Sequence, residues 1–196
     1  MQDRVEKRLA EAQPAFDDLF ENCRNTRQVA VQASIISGID LAIDGAPDGL
    51  ECENIYYRDR KSFQSLLEAV VTRLLKQDIR PKDIAVLSTR KRENSLVADM
   101  RELAGIPLVD VSGSGEGDMV FSTMHSFKGL ERLVVLAVDM EGIGNPEAAM
   151  LHYAGLSRAR GLLHAFLPES ERGAYGHQAA GFAARMAGVS PPANQS

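Results

Sequence analysis

The 196-residue chain contains no tryptophan, and all of its aromatic residues together make up 6% of it. So few rings do not build an extended platform for stacking bases. Positive charge is also short: 22 lysines and arginines face 27 aspartates and glutamates, a net charge of −5. That balance provides no basic face for coating nucleic acid, so any such contact must come from a few donors gathered locally. Cysteine occurs only at Cys23 and Cys52, with no spacing suited to a metal site. Without a secretory signal, a disulfide between them is not expected either. No apolar run reaches the length of a transmembrane helix, and residues 1–12 are charged and helix-prone, unlike a signal peptide. The expectation is a cytoplasmic protein without membrane contact. Two more absences narrow the chemistry. There is no Gly-x-x-x-x-Gly-Lys-Ser/Thr, hence no backbone cradle or lysine for nucleotide phosphates, and no Asp-Glu pair at a strand end to hold magnesium.

What is present suffices for one substantial core, with 44% of the residues hydrophobic. Short runs rich in Val, Ile and Leu occur at Ile55–Tyr57, Ile84–Leu87, Leu108–Val111, Met119–Ser122, Leu133–Val138 and Leu162–Leu167. They show little polar alternation, as strands buried on both faces of a mainly parallel sheet do. Between them Phe63, Leu66, Leu67, Val70, Val71, Leu74 and Leu75 recur at helical spacing. Leu96, Val97, Met100, Leu103 and Ala104 predict a second helix, with Gly105 as its C-cap, and Asn25 to Ser37 a third that stops at Gly38. Strands alternating with helices imply an α/β, doubly wound fold. Residues 44–50 read as a loop, 112–118 as a flexible glycine-rich connection and 188–196 as a frayed tail.

The chemistry-bearing residues cluster at strand ends, where open α/β sheets keep functional groups. Phe121 to Glu131 reads Phe-Ser-Thr-Met-His-Ser-Phe-Lys-Gly-Leu-Glu; Leu151 to Arg160 reads Leu-His-Tyr-Ala-Gly-Leu-Ser-Arg-Ala-Arg; Leu19 to Thr26 reads Leu-Phe-Glu-Asn-Cys-Arg-Asn-Thr. Taken singly, each has a bland reading: a polar loop, an arginine complementing a helix dipole, an N-cap before a helix. In this order they resemble motifs V, VI and IV of the UvrD-like superfamily-one helicases. The resemblance spans about residues 19–167, with residues 1–18 as a helical lead-in. Ile84–Arg90 with Gly105-Ile106-Pro107 is a softer match to the strand that delivers polar groups towards single-stranded DNA.

The resemblance implies the second RecA-like lobe of an ATP-dependent DNA helicase, moving 3′ to 5′, with the phosphate loop and magnesium site on a first lobe. ATP with Mg2+ would bind between the lobes. Arg24 and Arg158 would reach the γ-phosphate as arginine fingers and Glu131 the ribose. Thr123 and His125, with Thr89 and Arg90, would touch single-stranded DNA; Lys128 and Gly129 would shape the turn that couples the two sites. Larger relatives insert a helical domain where this chain has only Ser112–Asp118. By itself the chain is expected to be inactive as an ATPase. The competing reading is a helicase-like adaptor without catalysis. An unrelated small-molecule enzyme would need a glycine-rich strand-to-helix turn that the chain does not contain.

Overall fold

The computed structural model describes residues 25–188. Arg24, Cys23, the lead-in 1–18 and the tail beyond Gly188 lie outside the described residues. Within them, seven strands form one sheet in the order β1-β7-β6-β2-β5-β4-β3. The strands are β1 (Glu53–Tyr57), β2 (Ile84–Ser88), β3 (Glu102–Leu103), β4 (Ile106–Asp110), β5 (Met119–Thr123), β6 (Arg132–Val138) and β7 (Ala159–Pro168). All neighbours pair in parallel except the short β3–β4 hairpin. The doubly wound, mainly parallel sheet expected from the apolar runs is present.

Each inner strand is dressed on both faces. From β6, Val134, Leu136 and Val138 join one core cluster while Val135 and Ala137 join the other. Helix α2 (Arg60–Lys76) covers the first face through Phe63, Leu67, Val70, Val71 and Leu74. It begins at a capping box in which the Ser62 amide donates to the Asp59 carboxylate at 2.7 Å. Helices α1 (Arg27–Ser37), α3 (Pro146–Leu156) and α4 (Arg172–Met186) lie on the other face. Helix α1 stops where predicted, with Gly38 left-handed at φ 72°.

One expected element is absent. The apolar spacing from Leu96 to Ala104 does not fold into a helix but into turns followed by the β3–β4 hairpin. Ala104 and Gly105, at φ 51° and 75°, are both left-handed between the paired Leu103 and Ile106, the backbone of a two-residue hairpin turn. The Ala104 amide then donates to the Glu68 carboxylate at 2.7 Å, tying the turn to α2. Upstream, the Asp139 carboxylate accepts from the Ser95 hydroxyl at 2.5 Å and the Leu96 amide at 3.0 Å, and the Ala98 and Met100 amides close tight turns onto the Ser95 and Val97 carbonyls at 3.1 and 3.0 Å. Val97 and Leu103 still reach the core, so the periodicity registered burial but not conformation.

Candidate functional site

The predicted residues separate onto the two edges of the sheet. At the amino edge, Arg132 of β6 stands opposite Ala159 of β7, with Glu131 and Arg158 immediately upstream of each. The Arg132 amide donates to the Arg158 carbonyl at 3.0 Å. Asn25, only 3% exposed, clamps this corner: its side-chain amide donates to the Ser157 carbonyl at 2.9 Å and to that of Ala159 at 2.5 Å. Thr26 adds its backbone amide to the Arg160 carbonyl at 3.1 Å and its hydroxyl to the Gly161 carbonyl at 3.3 Å. Thr26 precedes α1 as an N-cap would, yet its hydroxyl goes to β7 instead of the helix amides. The residue before Asn25 is Arg24, outside the described residues.

Arg158 is half-buried and turned onto its own helix. Its Nε donates to the Ala154 carbonyl at 2.9 Å and its Nη2 to the Ser157 hydroxyl at 3.1 Å, capping the last turn of α3. A cleft of about 510 Å³ opens along the amino edge, lined by Glu131, Arg132 and Arg160 together with Lys82, Asp83 and Glu116; Arg158 is not part of its wall. The Lys82 ammonium is hydrogen-bonded to the Glu116 carboxylate there. Arg132 lies 5.8 Å from the Phe127 ring centre and donates from Nη1 to the Glu131 carbonyl at 2.9 Å. Its buried Nε has no partner among the described residues. Lys82, Arg132 and Arg160 line the cleft together with Asp83, Glu116 and Glu131, a balanced set that offers guanidinium donors to an anionic group and carboxylate acceptors to hydroxyls.

At the carboxyl edge, β5 ends at Thr123, beside Ser88 of β2, itself beside Val138 of β6. The Thr123 hydroxyl accepts from the Ser126 amide at 3.0 Å and donates to the Ser126 hydroxyl at 2.8 Å, starting a turn that leaves His125 exposed. Lys128 is exposed, and Gly129 sits at φ 87°, a backbone that favours glycine. Arg90 is paired with the Glu141 carboxylate at 2.7 Å. Thr89 turns inward, its hydroxyl donating to the Asp139 carbonyl at 2.6 Å.

Asp139 is the residue that sequence reading missed at this edge. It is 2% exposed, holds a left-handed backbone at φ 57°, and accepts from Ser88, Ser95 and Leu96. The available signal was an aspartate directly after an apolar strand in a sheet of this class. Asn25 was legible only as part of a motif; its clamp joins residues more than 130 positions apart.

No protein-family profile matches this sequence, and no curated protein does. Among solved structures, the C-terminal domain of a possible DNA helicase from Lactobacillus plantarum WCFS1 superposes with a TM-score of 0.58 at 14% identity. The match covers 75% of this chain and 88% of that one. The fold is RecA-like, as in that helicase domain. A second structure, the E. coli DEAD-box protein SrmB bound to the regulator of ribonuclease activity A, matches at a TM-score of 0.40 and 19% identity. It covers 63% of this chain and 80% of that one, too loosely to bear on the reading.

Proposed function

We propose that this chain is the second motor lobe of an ATP-dependent DNA helicase or translocase of the UvrD-like kind. The observation that carries the reading is the separation of the two candidate sets onto opposite edges of one sheet. Glu131 and Arg158 lie together at the amino edge; Thr123, His125 and Arg90 lie at the carboxyl edge. The order of the motif strings and the RecA-like fold support it. ATP, with Mg2+ to neutralise its phosphates, is held mainly by a first lobe bearing the phosphate loop. Arg158 swings from the end of α3 to the γ-phosphate, joined by Arg24, and Glu131 accepts from the ribose hydroxyls. A guanidinium placed there stabilises the charge that develops as the γ-phosphoryl group transfers. Closure of the lobes on ATP and reopening after hydrolysis would move the carboxyl edge along single-stranded DNA, 3′ to 5′. Thr89 shapes that edge through Asp139, and Lys128 and Gly129 shape the turn that leads from it.

The test is Arg158→Ala in the protein that also carries the phosphate loop. Turnover should fall on the order of a thousand-fold while KM for ATP changes little. A large rise in KM with normal turnover would contradict the finger role. One observation favours a second reading, a non-catalytic adaptor: Arg158 already caps its own helix. If that is its whole role, Arg158→Ala costs stability and leaves turnover alone.

A further inference from the structure

Arg158 is the single residue between Ser157, the C-cap of α3, and Ala159, the first residue of β7. Its backbone is fixed on both sides. The Arg158 amide donates to the Gly155 carbonyl at 3.1 Å, and its carbonyl accepts from the Arg132 amide at 3.0 Å. The two carbonyls that flank it, of Ser157 and Ala159, both accept from the side-chain amide of Asn25. That nitrogen carries two hydrogens, so one carboxamide can meet both carbonyls. The guanidinium is held differently. It donates to two neutral oxygens, the Ala154 carbonyl and the Ser157 hydroxyl, bonds that a charged phosphate oxygen outcompetes. Arg158 thus combines a pinned backbone with an exchangeable side chain, and the residue that pins it follows Arg24 directly in the chain.

We propose that Asn25 is a positioning residue: its carboxamide fixes the pivot from which Arg158 swings to the γ-phosphate and ties to that pivot the chain arriving from Arg24. The inference rests on the motor-lobe reading above and adds to it a residue that touches no ligand. A long side chain amplifies any tilt of its own backbone, and misplacing a transition-state group by about 1 Å can cost about a hundredfold in rate. The clamp needs donors. A carboxylate of the same shape would set its oxygens against two carbonyls, and a serine has one hydrogen on a shorter arm. Because Asn25 is 3% exposed, water does not readily replace it.

The experiment is steady-state ATPase kinetics on the protein that also carries the phosphate loop, with the folded state of each variant checked by denaturant unfolding. Asn25→Asp keeps the side chain's size and removes both donors; Asn25→Ser is the milder change should the aspartate not fold. Asn25→Asp should lower kcat roughly ten- to a hundredfold and leave KM for ATP within about twofold, with Asn25→Ser between it and the unaltered protein. Arg158→Ala should cost far less in the Asn25→Asp background than alone, because the arginine it removes is already displaced. Folded variants with normal kcat, or losses that simply multiply in the double variant, overturn the positioning role and leave Asn25 a structural clamp. If Arg158→Ala lowers turnover and the folded Asn25 variants do not, the motor-lobe reading stands without this proposal. If Arg158→Ala leaves turnover unchanged, both fall.

Discussion

His164 shows how one residue carries a pH dependence. It is 3% exposed in the middle of β7, its Nδ1 without a hydrogen-bond partner among the described residues and 4.0 Å from Glu53 Oε2. Burial pushes its pKa down from 6.5 to about 4, although the nearby Glu53 carboxylate pulls the other way. Glu53 itself is held below the usual carboxylate range by the Arg73 guanidinium at 2.7 Å. Between pH 6.5 and 4 the unfolded chain protonates His164 and the folded protein does not, so this residue makes stability fall as the solution is acidified. The loss approaches about 3 kcal/mol, because each pH unit across that window contributes about 1.4 kcal/mol. Replacing His164 by leucine should flatten the profile between about pH 7 and 4.5 in denaturant unfolding; a profile that keeps its slope removes His164 from the account. His152, buried in α3 with its Nδ1 likewise unpartnered among the described residues, is shifted in the same direction by burial and adds to the residual slope. The Cys52 thiol is pushed up to about 11 by burial, which keeps it from acting as a nucleophile near neutral pH.

Among the elements, the connection from β5 to β6 is unusual. Parallel strands are ordinarily joined by a dozen or more residues with a helix among them, whereas residues 124–131 make this return with turns alone. Met124 and Phe127, both fully buried, pin the segment to the sheet face beside Ala85, Leu87 and Val135. Helix α3 gives way to it at Gly155, where a Cβ would stand 2.3 Å from Met124 Cγ and 2.8 Å from Met124 Cβ. The segment that starts at the carboxyl edge is thus seated against the helix that ends at Leu156, two residues before Arg158. Adding a methyl there overpacks a filled core, so Gly155→Ala should cost about 1–3 kcal/mol by denaturant unfolding. Met124→Ala in the same chain should recover part of that loss, because the two side chains would compete for one space. Strict additivity of the two losses would show that Gly155 and Met124 are not in such close contact.

At the scale of the whole molecule, a cleft bearing Glu131, Arg132 and Arg160 opens at the amino edge of the sheet, and the proposed function takes it for half of a nucleotide site. The chain supplies candidate arginines and a carboxylate but no phosphate loop. Purified by itself it should release no phosphate from ATP in a steady-state assay; turnover abolished by Arg158→Ala would refute that. None of its described helices is long and apolar enough to cross a membrane. If the carboxyl edge holds DNA as proposed, Arg90, paired with Glu141, has to exchange that partner for a phosphate.

The strand pattern was legible because strands buried on both faces must be apolar at consecutive positions, and Ile84–Leu87 and Leu133–Val138 have no polar residue to suggest otherwise. Helix α2 was legible from its stripe and α1 from the glycine that ends it. The segment from Leu96 to Gly105 was not, because it is anchored by hydrogen bonds donated to the Asp139 carboxylate, over forty residues away, and ends in a turn whose left-handed pair does not show in apolar spacing. The candidate residues could be named from their order along the chain, but order says nothing of which side chains meet. Tertiary structure decided that Glu131 and Arg158 share one edge, that Asn25 fastens the corner between them, and that the Thr89 hydroxyl is spent on Asp139. Local spacing records which residues are buried; only packing across the sheet determines which polar groups remain to meet a ligand.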